Sequence, residues 1–238
     1  QLLEYDDVAN DQRKETYRLR NELLESSDVG DLLANLREDV LRGICALYVP
    51  QESMEEHWDL LGLENVLSSD WGLAVDLKNW VENAESIEDE QIVDRVLEVA
   101  QKVYDEKVEL SGRPSFAGFE RSVLLYSLDT HWREHLAALD HLRQGIHLRS
   151  YAQKNPKQEY KREAFELFAA LLDTVKHEVT QVTMQVQVKS AADLEAVEKP
   201  TELENVQYQH TDYDEALASS AVEDSAPFER EGVKIGRN

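Results

Sequence analysis

The sequence predicts an all-α fold, and three observations carry the prediction. Nine glycines and five prolines in 238 residues are about half the usual share of roughly 12%, so turns are few and the elements between them long. Leu125, Leu128, Trp132, His135, Leu139, Leu142 and Ile146 recur at alternating spacings of three and four, the period of one helix face. Ala164, Phe168, Leu171, Val175, Val179, Val182 and Val186 repeat the pattern after Pro156, and two such seams joined by a short turn make a long antiparallel hairpin.

The chain opens on a predicted long helix over 1–49. Val29, Leu33, Leu36, Val40, Ile44 and Leu47 form its apolar stripe, and Pro50 stops it. Ser26-Ser27-Asp28-Val29-Gly30 either breaks or softens this run; the reading adopted is one unbroken helix, ~68 Å long at ~1.5 Å per residue. Residues 50–113 change character. Trp58, Trp71 and Trp80 fall close together with Gly62 and Gly72, as in a small lobe packed on tryptophans. Ser53 and Glu56 are spaced as a capping box, and Ser86 is placed to cap a longer helix with Ile92, Val96, Val99 and Val103 as its stripe. Gly112 and Pro114 end that helix. Residues 114–190 hold the hairpin. Residues 191–238 carry scattered apolar positions among many acids and read as a disordered acidic tail.

Charge and motifs narrow the chemistry. A net charge of −24 repels nucleic acid and anionic lipid unless a local basic island intervenes. Cys45 is the single cysteine, which leaves no intrachain disulfide and no cysteine zinc cluster. It lies in an apolar helical run that argues for burial. Apolar runs reach only six residues, Ile44–Val49 and Leu167–Leu172, too short for a bilayer. No G-x-x-x-x-G-K-[ST] loop and no G-x-S-x-G elbow is present, so neither nucleotide nor acyl-transfer catalysis is expected. His131-Trp132-Arg133-Glu134-His135 spells H-x-x-E-H, a zinc-peptidase order. A catalytic zinc needs a third protein ligand, and none can be singled out among 49 acidic residues. His135 also falls on the hairpin seam, where a packing role suffices. The expectation is therefore no catalytic residue, no cofactor-binding residue and no metal ligand.

One segment stands apart. Between Arg143 and Arg162 lie Arg143, Arg149, Lys154, Lys157, Lys161 and Arg162, opposed within the window by Glu159 alone. The window coincides with the bend of the hairpin. Leu148 and Tyr151 sit in the same turn, where an apolar contact has no core to join. A basic tip with exposed apolar groups is an interaction surface, suited to an acidic protein groove, anionic lipid or an unfolded chain. Tyr151, Arg149, Leu148, Lys154 and Lys157 are its candidate contact residues.

At this point HWREHLAALDHLRQGIHLRSYAQKNPKQEYKREAFELF closely resembles the two-helix finger of the SecA family of bacterial preprotein translocase motors. LLEYDDVANDQRKETYRLRNELL resembles the start of that family's long helical scaffold, and the closing EGVKIGRN is similar to the segment leading into its zinc-binding tail. The resemblance implies a C-terminal fragment. Residues 1–49 would be the helical scaffold's long helix, 50–113 the helical wing, 114–190 the scaffold's two-helix finger and 191–238 the flexible C-terminal linker. It further implies a part of a motor that couples ATP hydrolysis to preprotein translocation through the SecY channel, with nucleotide-binding domains elsewhere and no catalysis by this piece alone. ATP and magnesium would belong to the full motor, and zinc to a tail that follows. Implied partners are the SecYEG channel, unfolded preprotein, the family's motor domains, anionic phospholipid, a second copy in a homodimer, and SecB through the tail. Nucleic acid is not among them. The implied place is cytoplasmic and peripheral on the cytoplasmic face of the bacterial inner membrane. Tyr151 occupies the position of a finger-tip tyrosine that contacts the polypeptide, and the hairpin would restrain the ATPase until channel and preprotein engage. Ser150 stands where the family often has Gly, and Asn155 where Asp is common. Two other readings stay open on the residues: a stand-alone helical adaptor that binds an acidic partner through its tip, and a zinc peptidase using His131, Glu134 and His135.

Overall fold

The computed structural model describes residues 2–84, 87–146 and 155–188. Among them every regular element is a helix: α1 (Leu2–Glu25), α2 (Gly30–Tyr48), a 3-10 turn (Glu55–His57), α3 (Leu60–Trp71), α4 (Leu77–Glu82), α5 (Asp89–Ser111), α6 (Arg113–Gly145) and α7 (Pro156–Gln185). The all-α expectation stands. No helix among these residues is long and apolar enough to cross a membrane.

The single unbroken helix expected over 1–49 is corrected to two. Short polar side chains in the Ser26–Gly30 stretch compete for backbone groups that a helix would use. The Ser26 hydroxyl donates to the Asp28 carbonyl at 2.6 Å, and the Asp28 carboxylate accepts the Gly30 amide at 2.7 Å. Two arginines of α6 then hold the break: Arg113 donates to the Asp28 carboxylate, and Arg121 donates to the Ser26 carbonyl at 3.1 Å. Local competition and a distant clamp together outweigh helix continuity.

Helices α1, α6 and α7 form a three-helix bundle whose register can be followed pair by pair. Tyr5 stacks edge-on to Tyr160, with ring centroids 4.6 Å apart. Gln12 lies against His135 and Ala164. Arg20 pairs with Asp129, and Leu23 shares a core with Leu128 and Val175. As α1 runs forward it meets falling numbers on α6 and rising numbers on α7, so it lies antiparallel to the first and parallel to the second. Most of the predicted seam is buried: Leu128, Trp132, His135 and Leu139 on α6 with Ile146 just past its end, and Ala164, Leu171, Val175 and Val179 on α7. Its ends differ. Leu124 rather than Leu125 is buried at the start, and at the far end Val182 is 38% exposed while Thr183 and Met184 turn inward. The cause is that α7 there faces a new neighbour, the Asp70 carbonyl at the end of α3, which accepts from Gln181 and Gln185.

The second half of α2 joins α3, α4 and α5, together with Phe116 and Phe119 of α6 and Met184 of α7, in a second core, where Leu41, Leu63, Leu67, Leu73, Leu77, Ile92 and Val96 are fully sealed from water. Each such aliphatic side chain stabilises the fold by about 1.5–3 kcal/mol on transfer grounds. Aliphatics rather than tryptophans fill this lobe. Only Trp71 is buried, while Trp58 and Trp80 pack at its edge. The caps also differ from expectation. Asp59, not Ser53, caps α3 by accepting the Gly62 amide at 2.8 Å; the Ser53 hydroxyl instead accepts the Trp58 indole N–H at 2.9 Å. Glu88 and Gln91 open α5, with the Gln91 side chain accepting the Glu88 amide at 2.9 Å; Ser86 lies outside the described residues. Along α5 the buried line is Ile92, Val96, Ala100 and Tyr104, and the predicted Val99 and Val103 flank it. Gly112, at φ +79°, ends α5 and allows α6 to start at the next residue.

Candidate functional site

The hairpin arm is the candidate site, and its middle shows why it is stiff. His135 on α6 is buried, and its Nε2 donates to the Gln12 side-chain oxygen on α1 at 2.8 Å. Gln12 in turn donates from its amide nitrogen to the Ala164 carbonyl on α7 at 2.9 Å. One relay therefore pins all three helices at the same level. Burial lowers the pKa of His135, which keeps it neutral, and the rings of Trp132 and Phe168 flank it at 5.5 and 5.6 Å. The seam position read from periodicity is borne out.

His131, one turn earlier, has different partners. Its Nδ1 lies 2.9 Å from the Glu134 carboxylate and its Nε2 lies 2.7 Å from Glu178 on α7. Ser127 donates its hydroxyl to the same Glu178 oxygen. Among the described residues no three His, Cys, Asp or Glu side chains converge to hold a metal ion. The H-x-x-E-H order is thus divided between a neutral packing histidine and a salt-bridged one. Burial alone would lower the His131 pKa, but hydrogen bonds to Glu178 and Glu134 outweigh it and raise it. Glu178 is lowered by Ser127 and then by His131, against burial. A group raised in the folded state contributes stability that is complete below its ordinary value and lost as pH rises through the raised one. The lowered Glu178 works oppositely, contributing above its ordinary range and failing as pH falls. The clamp is therefore strongest in the mildly acidic window between the two. An NMR titration of the His131 ring is expected to give a midpoint above 6.5, and Glu178→Gln is expected to lower it. An unchanged midpoint in that variant would show that the pair does not set the charge.

At its far end the arm is anchored close to the bend. Ile146, the last described residue of the first arm, is fully buried with Tyr5, Leu139, Tyr160 and Ala164. Asn155 caps α7 by accepting the Lys157 amide at 3.1 Å, and Pro156 occupies the first helical turn, where its missing N–H costs nothing. Lys157 thus stands in the first turn of α7. Leu148, Arg149, Tyr151 and Lys154 lie outside the described residues. The basic window is more neutralised than its own sequence suggests. Arg143 pairs with Asp6 of α1 and with Asp140, while Arg162 pairs with Glu159 and with Glu166 just beyond the window. Arg143 and Arg162 therefore serve the arm. Asp6 and Arg143 are 137 positions apart, and nothing in local periodicity announces such a pair.

Cys45 is fully buried in the lobe, and burial pushes its thiol up to about 12, leaving it inert as a nucleophile.

A family model described as SecA Wing and Scaffold domain matches residues 1–187. The Protein translocase subunit SecA of Polynucleobacter necessarius subsp. necessarius (strain STIR1) is 64% identical over 249 residues, covering 100% of this chain and 27% of that protein. Its counterpart in Polynucleobacter asymbioticus (strain DSM 18221 / CIP 109841 / QLW-P1DMWA-1) is 65% identical with the same coverage. That of Methylobacillus flagellatus (strain ATCC 51484 / DSM 6875 / VKM B-1610 / KT) is 59% identical over 244 residues, again 100% of this chain and 27% of the relative. The chain spans about a quarter of the length of the curated relatives it matches.

Proposed function

The chain belongs to the SecA wing and scaffold family, and from that premise we propose that it is the mechanical and contact module of a motor that drives preproteins through the SecYEG channel. The observation that carries the proposal is the three-helix arm. Its two long helices are pinned along their length to α1, by Tyr5–Tyr160, by the His135–Gln12–Ala164 relay and by Arg20–Asp129. A brace of this kind transmits force or holds a position, because packed side chains resist compression. In sequence, Leu148, Arg149, Tyr151 and Lys154 belong to the segment that joins its two long helices, and Lys157 stands in the first turn of α7. An aromatic ring gives a large, sequence-tolerant contact with few rotatable bonds, which suits a translocating chain of any sequence. The cations suit acidic or carbonyl groups at a channel mouth, or anionic phospholipid. In this reading the module works on the cytoplasmic face of the inner membrane. ATP and magnesium are handled by other domains of the motor, whose hydrolysis the arm restrains until channel and preprotein engage.

Crosslinking tests it directly. With a photoreactive residue at position 151 of the complete motor, stalled translocation is expected to give adducts with the preprotein or the channel, and these disappear without ATP. Adducts confined to the motor itself would remove the tip from the substrate path.

A further inference from the structure

Helix α1 is joined to α6 by a ladder of polar clips, and among the described residues four follow one another. The Asp6 carboxylate accepts from Arg143 at 3.2 Å. The Gln12 side-chain oxygen accepts from His135 at 2.8 Å. Arg20 holds both oxygens of Asp129, through Nε at 2.9 Å and Nη2 at 3.2 Å. The carbonyl of Ser26, one residue past α1, accepts from Arg121 at 3.1 Å. Positions 6, 12, 20 and 26 advance by about two helical turns at a time, and 143, 135, 129 and 121 retreat at the same pace. The apolar contacts of α1 gather instead at its ends. Tyr5, Val8 and Ala9 join the core around Ile146 and Tyr160, and Leu19 and Leu23 join the one around Leu128 and Val175. Between Ala9 and Leu19 the side chains that α1 buries are Gln12 and Thr16. Thr16 spends its hydroxyl on its own helix, at the Gln12 carbonyl. The middle of α1 is thus seated on its neighbours through Gln12.

This distribution decides register more than strength. The α6 face repeats Leu128, Trp132, His135, Leu139 and Leu142 every three or four residues, so it offers α1 similar seats one two-turn step apart. Apolar groups at two ends would fit a neighbouring seat with little loss. The clips would not. One step toward the start of α6 sets Arg20 against Arg121, like charge on like. One step toward its end sets Arg20 against the buried ring of His135 and takes the cation away from Asp129. Polar groups in a packed seam select one register in this way, at some cost in stability. An exposed pair such as Asp6–Arg143 adds little to stability; what it adds is discrimination. We propose that Asp6, Gln12 and Arg20, with their partners on α6, are the positioning residues of the arm. They fix one register of α1 against α6, and through Gln12 and Ala164 against α7, and so fix where Ile146 and Asn155, the ends that flank the bend, stand relative to α1. The effect on transport rests on the reading of the arm as the motor's contact module; the register itself is a property of the three helices.

Spin labels at Asp11 of α1 and Tyr126 of α6, both exposed, read the register in the complete motor when attached through noncanonical residues that leave native thiols untouched. Pulsed electron resonance is expected to give one distance in the unaltered motor. Arg20→Asp sets two carboxylates face to face. It is expected to add a second population displaced along the helix axes by about 10 Å, two turns at ~1.5 Å per residue, and to reduce transport several-fold. Arg20→Asp with Asp129→Arg rebuilds the pair and is expected to return the single distance and most of the transport. A single unshifted distance in Arg20→Asp overturns the proposal, as does a double variant that stays displaced. Should Arg20→Asp not fold, Gln12→Leu with His135→Leu decides. Replacing both partners by apolar groups is close to neutral for stability, so two distances in that variant support the register role and one unshifted distance overturns it. A restored distance without restored transport would uphold the register and overturn the reading of the arm as the transport module.

Discussion

Phe116→Ala is expected to lower the stability of the chain by about 3–5 kcal/mol, the usual cost of emptying a fully buried aromatic site. Phe116 stands one turn after Gly112 and is 0% exposed. Its ring centroid lies 5.4 Å from Tyr104 on α5 and 5.8 Å from Phe119 on α6, so truncation removes two aromatic contacts as well as area. The same core includes Val40 and Ile44 of α2 and Met184 of α7. The lost ring therefore faces several elements that cannot all collapse into one hole. Tyr104 is also the donor to buried Glu120, and loosening it exposes that carboxyl to water. Urea unfolding followed by circular dichroism measures the effect, with Phe116→Leu as a milder control. A loss under about 1 kcal/mol would mean that the corner repacks freely and that lobe and bundle do not share a load there.

Much of the fold was legible because it depends on spacing within one helix. The seam from Leu128 to Ile146 and its partner from Ala164 to Val179 followed from a three-and-four repeat, since burial against one neighbour leaves that signature. The same repeat misled over 1–49. It gives equal weight to every residue, whereas the break at Ser26–Gly30 is decided by Asp28 accepting a neighbouring amide and by arginines 85 and 95 positions away. Where α7 meets a second neighbour the repeat also failed, and Val182 gave way to Thr183 and Met184. The capping errors are of one kind. Ser53 had the right spacing, but Asp59 stood closer to the helix that formed. At the site itself, the seam role of His135 could be read, but its partner Gln12, 123 positions away, could not. The basic window was visible as a cluster, yet the carboxylates that occupy Arg143 and Arg162 lay partly outside it.

Tyr151→Ala in the complete motor is expected to reduce preprotein translocation by on the order of tenfold, the loss of about 1.4 kcal/mol that a single aromatic anchor commonly carries. Basal ATP hydrolysis without preprotein is expected to stay near its original rate. The separation follows from the arm's construction. Its stiffness resides in Tyr5–Tyr160, His135–Gln12 and Arg20–Asp129, and the described core closes at Ile146 before the bend. On the proposed role of the tip, removing a ring at position 151 takes away a contact while those pairs stay in place. Tyr151→Phe, which keeps the ring and drops the hydroxyl, is expected to retain most translocation if area and stiffness are what the tip supplies. His135→Ala provides the opposite comparison. It breaks the relay that ties α6 to α1 and α7 and leaves Gln12 buried without its donor, so it should loosen the arm and disturb basal hydrolysis together with transport. Equal translocation by Tyr151→Ala and the unaltered motor would remove the tip from the mechanism and leave the arm a regulatory brace alone.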